Sequence, residues 1–238
     1  MKCIILAAGI GKRLRPYTLD TPKPLLKVGA KSLLHYKVES LRRHGFQDKD
    51  IVVVLGYRQQ QIKKDFPGLT FIFNQHYFTR NNLYSLWLAR QHTTEGFFLF
   101  NADTIHSREI FRRMFASTWE SAIAVDSAVK SSDDLSALVD EKQGVIQVDF
   151  NLSADLIFGK AAQFSRFSPA DSKVFMRYVH QSLTTQEFQK GANIHPPELC
   201  SALHLSAIDI KDLPWAEVDT VDDLNKARRM VQENGNLF

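Results

Sequence analysis

The stretch LAAGIGKRLRPYTLDTPKPLL, from Leu6 to Leu26, gathers Gly9, Gly11, Lys12, Arg13, Arg15 and Lys23 into one short span. Glycines directly after an apolar strand let backbone N–H groups approach an anion and form a concave nest. Lysine and arginine beside them add charge and multidentate contacts to phosphate oxygens. Pro22 and Pro24 stiffen the backbone on either side of Lys23. The chemistry that suits this combination is the grip of a polyphosphate; the alternative is a solvated basic turn. Two common phosphate loops do not fit. A dinucleotide fingerprint needs glycine where Leu14 stands. A Walker A loop ending on Gly11-Lys12 needs glycine at Leu6 and a hydroxyl residue at Arg13.

Two carboxylates stand apart from local structural duties. FFLFNADT ends an apolar run on Asp103, and the helix that follows has Ser107 as its expected cap. In WAEVDTVDDL, Thr220 and Asp223 read as a capping box, which leaves Asp219 over. If 215–219 is extended, Trp215, Glu217 and Asp219 share one face. Paired carboxylates near a triphosphate suit a hard cation such as Mg²⁺. The eight histidines show no metal-binding spacing, no G-x-S-x-G elbow is present, and Cys3 and Cys200 form no CxxC pair.

The elements that must position these groups follow from the hydrophobic pattern. KCIILAA, DIVVVLGY, LTFIFN and GFFLFNAD read as buried strands. The segment from Ser32 to Gly45 reads as an amphipathic helix, QQQIKKDF as a short one, and NNLYSLWLARQH as a third. This alternation predicts an α/β fold with a parallel sheet covered on both faces. A hairpin is expected around Lys142-Gln143-Gly144, helices over 170–190 and 194–203, and a last strand and helix over 215–235. One domain spanning 1–238 is expected, with 135–180 less regular.

Hydrophobic residues at 44% and charged residues at 24% describe an ordinary globular chain of 238 residues. The net charge of +4 is uneven, because residues 1–43 hold ten Lys/Arg against Asp20 and Glu39. Focused charge of this kind attracts phosphates, whereas a nucleic-acid binder spreads its basic residues along a groove. No nucleic-acid partner is expected. No apolar run reaches the length of a membrane span, and the first residues lack a signal-peptide core, so no membrane association and a cytoplasmic location are expected.

The elements LAAGIGKRLRPYT, TPKPLLKV, NADTI and EVDTVDDL together resemble the nucleotidyltransferases that make nucleoside-diphosphate sugars and CDP-alcohols. The resemblance implies a Rossmann-like three-layer fold with a mostly parallel mixed sheet. It implies a nucleotide-binding part over about 1–110 and an acceptor-binding, metal-completing part over about 111–238. Nucleotide contacts would fall to Leu6, Ala7, Ala8, Gly9, Gly11, Lys12, Arg13, Lys23 and Asn82, with Arg13 and Lys23 also catalytic. Asp103 and Asp219 would hold Mg²⁺. The run NQHYFTRNNLYSLWLAR is similar to the branch with CTP:phosphocholine and CTP:aminoethylphosphonate cytidylyltransferases, although Asn81 or Asn82 also serves as a helix cap there. CTP and a phosphorylated small alcohol, most of all phosphocholine, are the implied substrates. A sugar 1-phosphate acceptor, a 2-aminoethylphosphonate acceptor and a non-catalytic nucleotide sensor are the alternatives, and a homo-oligomer is left open. Aromatic faces hold quaternary ammonium groups. Tyr84, Trp87, Trp119, Tyr178 and Trp215 are available, with Tyr84, Trp87, Tyr178, Trp215 and Glu217 the acceptor-site expectation. One departure stands out: FGKAAQFSRFS carries Ala162-Gln163 where the family has a glycine-containing turn.

Overall fold

The computed structural model describes residues 1–184 and 194–238. In chain order the elements are β1 (Lys2–Ala7), β2 (Lys27–Val28), β3 (Lys31–Ser32), α1 (Leu33–Arg43), β4 (Ile51–Leu55), α2 (Gln59–Asp65), β5 (Thr70–Phe73) and α3 (Asn82–Leu88). They continue with β6 (Phe97–Asn101), β7 (Thr104–His106), α4 (Arg108–Ala116), β8 (Ser121–Asp126), β9 (Ser136–Val139), β10 (Val145–Asp149) and β11 (Gly159–Phe167). The rest are α5 (Pro169–Thr184), α6 (Pro197–Ala202), β12 (Leu205–Asp209), β13 (Trp215–Glu217) and α7 (Val221–Glu233).

Strands β1, β4 and β6 are buried on both faces, which their unbroken apolar runs require. Alternate residues serve opposite layers. Ile4 and Leu6 pack with Leu83, Phe175 and Val179 under α3 and α5. Cys3 and Ile5 pack with Leu34, Leu41, Ile110 and Phe111 under α1 and α4. The result is a three-layer α/β fold with a mixed sheet. The main path runs β10-β9-β11-β6-β1-β4-β5, with β8 pairing β11 and β12. The β6-β1-β4-β5 portion is parallel, and β11 joins it antiparallel to β6.

The hairpin around Lys142-Gln143-Gly144 forms between β9 and β10. β11 itself has no simple apolar alternation, and its register against β8 shifts between Ala161 and Ser165. A bulge there explains why 135–180 reads as irregular in sequence although it is largely sheet and helix. The helix expected over 194–203 begins only at Pro197, because Pro196 and Pro197 hold the residues before them out of the helical region. The helix expected to reach 190 is seen to Thr184; its last part lies outside the described residues. Ser107 occupies the cap position of α4, yet its hydroxyl makes no capping bond and is buried without a hydrogen-bond partner among the described residues.

Two small pieces aim the chain at the sheet's edge. β13 pairs antiparallel with β7, setting Glu217 opposite Thr104, so the strand ends two residues short of Asp219. Val218 then donates its N–H to the Asp103 carbonyl at 2.9 Å. α7 starts immediately afterwards with a full capping box: Thr220 accepts from the Asp223 N–H, and Asp223 accepts from the Thr220 N–H. Below them Leu14, Val28, Val218, Leu224 and Ala227 form a separate apolar cluster. Replacing Thr220 with alanine removes one reciprocal bond of that box. It should cost about 1 kcal/mol in urea denaturation, and Thr220→Ser should restore most of it.

Candidate active site

The loop after β1 leaves at the edge of the sheet where parallel strands end, the place where ligands meet open α/β folds. Gly11 has φ +68°, and a Cβ there would lie 3.2 Å from side-chain carbons of both Lys23 and Thr18. The Thr18 hydroxyl also donates to the Gly11 carbonyl at 2.8 Å. Glycine at 11 therefore brings the loop down onto Lys23. Gly9 has a different reason, since an added Cβ would meet nothing within 4 Å. Its missing side chain leaves room in the cleft.

Lys23 is the centre of the charge arrangement. Its ammonium donates to Asp103 Oδ2 at 2.8 Å and to Asp219 Oδ1 at 2.6 Å. Arg13 Nη2 reaches Asp219 Oδ2 at 2.9 Å from a largely exposed position. Burial alone would lower the Lys23 pKa, but the two aspartates outweigh it and hold it above the usual lysine range. Burial raises the Asp219 carboxyl, and Lys23 with Arg13 more than reverses this, holding it below the usual range. Asp103 Oδ1 is buried with no hydrogen-bond partner among the described residues. Such an oxygen, beside a second carboxylate, is the donor set a hard divalent cation accepts.

Three cavities open around Asp103. The first, about 280 Å³, is lined by Leu6, Ala7, Gly9, Gly11, Lys12, Arg13, Lys23, Pro24, Ala102, Asp103 and Asp219. The second, about 240 Å³, takes Leu6, Ala8, Gly9, Tyr77, Arg80, Asn81, Asn82, Ser85, Asn101 and Asp103. The third, about 140 Å³, is walled by Asn82, Asn101, Asp103, Leu135, Phe150, Gln163, Ile194 and Glu217. Every residue expected to touch nucleotide thus lines the first or second cavity, and Asp103 lines all three.

The residues expected at the acceptor separate in the fold. Glu217 is brought to the third cavity, but Tyr84, Trp87, Tyr178 and Trp215 line none of the three. Trp87 stacks on His180 and carries Arg90 on its ring, between α3 and α5. Tyr178 packs against the core beneath the same helices. Tyr84 meets His76 and Arg80. Trp215 lies parallel to His106 and donates its indole N–H to Asp126 at 2.8 Å. The aromatic that does face the third cavity is Phe150, which is 47% exposed.

Of the other residues around the cleft, Gln163 is legible in sequence only as a departure, Lys37 only through helical phase, and Lys160 carries no local signal of a place there. Gln163 sits in the β11 bulge at φ +55°, a conformation that favours glycine. The Ala162-Gln163 departure thus falls on a backbone conformation that glycine adopts more readily than glutamine. Its buried amide accepts from Asn101 and donates to Glu217. Lys160, on the same strand, pairs with Asp134 at 2.6 Å and Glu217 at 3.3 Å. Lys37 is fully buried behind Asp103, donating to the Thr104 hydroxyl at 3.1 Å over the Phe100 ring. Burial pushes its pKa down to about 7 while Asp103 pulls it up. Its place follows from helical phase, since Lys37 falls four residues from both Leu33 and Leu41 on the apolar face of α1.

Residues 3–196 match the model of the MobA-like NTP transferase domain, and the chain belongs to that family. It is 40% identical over 114 residues to choline-phosphate cytidylyltransferase of Streptococcus pneumoniae, covering 47% of this chain and 48% of that protein. It is 29% identical over 232 residues to the bifunctional IPC transferase and DIPP synthase of Rubrobacter xylanophilus, covering 95% of this chain and 51% of that one. The chain spans about half the length of these curated relatives. The solved CTP:phosphocholine cytidylyltransferase of Streptococcus pneumoniae shares the fold, with a TM-score of 0.75 at 24% identity over 97% of this chain and 98% of that one.

Glu217 is the strained acid of the site. Burial raises its pKa first, Asp103 and Asp219 raise it further, and Lys160 and Gln163 oppose them. An acid raised in the folded state binds its proton more tightly there, so ionisation costs stability above its ordinary pKa. Glu217→Gln should therefore raise the melting temperature at pH 7 by on the order of 2 °C. That gain should vanish as pH falls below about 4.3. A melting series from pH 3.5 to 8 checks both.

Proposed function

We propose that this chain is a cytidylyltransferase that transfers CMP from CTP to a small phosphorylated alcohol, with phosphocholine the favoured acceptor, giving CDP-choline and pyrophosphate. The observation that carries the reading is the meeting of three differently furnished cavities at one carboxylate. The cavity of Gly9, Gly11, Lys12, Arg13 and Lys23 suits the triphosphate. The cavity of Tyr77, Asn81, Asn82 and Asn101 offers an aromatic edge and amides suited to a nucleoside. The cavity of Phe150 and Glu217 suits a small cation, through a ring face and a carboxylate. The nucleotide part would then be built from about 1–110 and the acceptor part from 111–238. Cytidine is favoured by the names of the relatives, and a choline-type acceptor by the cation-binding character of the third cavity.

In this mechanism a phosphate oxygen of the acceptor attacks the α-phosphorus of CTP in line. The bond to the departing pyrophosphate breaks as the new P–O bond forms. The protein does little covalent work, so positioning and charge dominate. Arg13 and Lys23 neutralise charge on the phosphates, and Lys23 stays protonated because its pKa is raised. Asp103 and Asp219 would hold a divalent cation, which would supply further neutralisation of the phosphate oxygens. Asn81 accepts from the N–H groups of Leu83 and Tyr84, fixing the start of α3 and with it the neighbouring Asn82. Gln163 and Lys160 keep Glu217 oriented toward the acceptor.

Pyrophosphate release from CTP, scored with phosphocholine, 2-aminoethylphosphonate, an inositol phosphate and glucose 1-phosphate, tests the assignment. Phosphocholine should exceed glucose 1-phosphate by at least about tenfold in kcat/KM. A preference for the sugar phosphate would move the chain to the sugar-nucleotide class, and no release with any acceptor would end the proposal. Asp103 and Asp219 should also act as one unit, since Lys23 bridges both. Asp103→Asn and Asp219→Asn should each lower kcat by about a hundredfold or more, and the double variant should be scarcely worse than the poorer single. Losses that multiply would separate their roles.

A further inference from the structure

The positive charge of the first 43 residues divides in the fold. Lys2, Arg42 and Arg43 are ion-paired with Asp50, Asp48 and Glu39, and Lys37 is buried. Lys12, Arg13 and Lys23 serve the first cavity. Lys27 and Lys31 turn elsewhere. With Arg108 and Arg228 they line a separate cavity of about 670 Å³ between the β2–β3 hairpin, α1 and α7, and no acidic side chain is among its lining residues.

Little compensates this gathering of charge. Lys31 is paired with Glu39, and that one carboxylate also answers Arg43 and Arg108, so a single acid faces three cations. Lys27, Arg108 and Arg228 form no ion pair among the described residues. Glu109, the acid beside Arg108, is committed to Arg112 and Arg113 on its own helix. Arg108 Nε is buried and lacks any hydrogen-bond partner among the described residues. Arg228 is held in place: its Nε donates to the Lys27 carbonyl at 3.2 Å, and its guanidinium sits 5.4 Å from the Tyr17 ring. Like charges gathered in this way repel one another unless an anion joins them. Guanidinium groups grip phosphate through paired N–H bonds, and lysines add point charge. Tyr36 and Phe238 add aromatic wall to the same cavity, leaving room for more than a bare ion.

We infer that this cleft is a second phosphate site, distinct from the candidate active site, that takes a small anion bearing a diphosphate group. The inference does not depend on the proposed reaction.

Calorimetric titration without divalent cation tests it, using inorganic pyrophosphate in one arm and CTP in the other. Wild-type protein should take one more equivalent than Lys27→Ser/Arg228→Gln. Arg228→Gln alone should weaken that site by about tenfold. The difference should shrink as salt rises from 50 to 500 mM, on the order expected from screening. Turnover should persist in Arg228→Gln, because that residue lies outside the three cavities at Asp103. Loss in both arms means that the phosphate chain alone is recognised; loss in the CTP arm alone means that the nucleoside is read as well. Either supports the site. Identical isotherms for wild type and variants with both probes overturn it. If the double variant melts below the assay temperature, the half-exposed Arg228→Gln, with Arg108→Gln beside it, carries the comparison.

Discussion

One ammonium group between two carboxylates sets the terms for the rest of the molecule. Lys23 reaches Asp103 across 80 positions of chain and Asp219 across 196. Two part-buried acids this near each other would repel, and removing the cation between them would leave both uncompensated, a loss of about 3–5 kcal/mol for buried pairs and less where water reaches them, as it does here. Three distant segments must therefore converge on one edge. The parallel neighbours β1 and β6 deliver the glycine loop and Asp103 to the same side of the sheet. The short β7–β13 pair then brings the last carboxylate in from the far end of the chain.

This convergence explains why polar order is so dense around a modest cleft. Each acid has a definite counterweight: Asp219 has Lys23 and Arg13, and Glu217 has Lys160 and Gln163. Asp103 has Lys23 on one oxygen, while its other oxygen is buried with no hydrogen-bond partner among the described residues. The cleft is electrostatically unfinished there, at the point where its compartments join. The rigid apolar layers on both faces make such a state tolerable, because strands buried on every side cannot drift to relieve it.

What could be read directly from sequence was what local rules govern. The apolar runs of β1, β4 and β6 had no polar interruption to confuse them. Asn81 and the Thr220–Asp223 box obeyed capping chemistry within a single turn. The glycine loop and the two aspartates stand out by residue type and lie together in the fold, while Lys37 is legible only in helical phase. Long-range placement was not legible. Nothing local says that Trp87 answers to His180, or that Phe150 rather than Trp215 looks into the cleft. Gln163 was noticed as a departure, but its meaning depended on a bulge set by the partner strand. Ser107 had the right type and position for a cap and still lacked the bond.

The start of α7 joins two properties usually considered apart. Asp223 accepts from the backbone N–H of Asp219 at 3.1 Å as well as from that of Thr220 at 2.8 Å. The same carboxylate therefore closes the helix and anchors the backbone that carries a site charge. Fraying of that first turn and displacement of the Asp219 carboxylate are one motion. The local melting of a surface helix is in this way a coordinate of the cleft's electrostatic field.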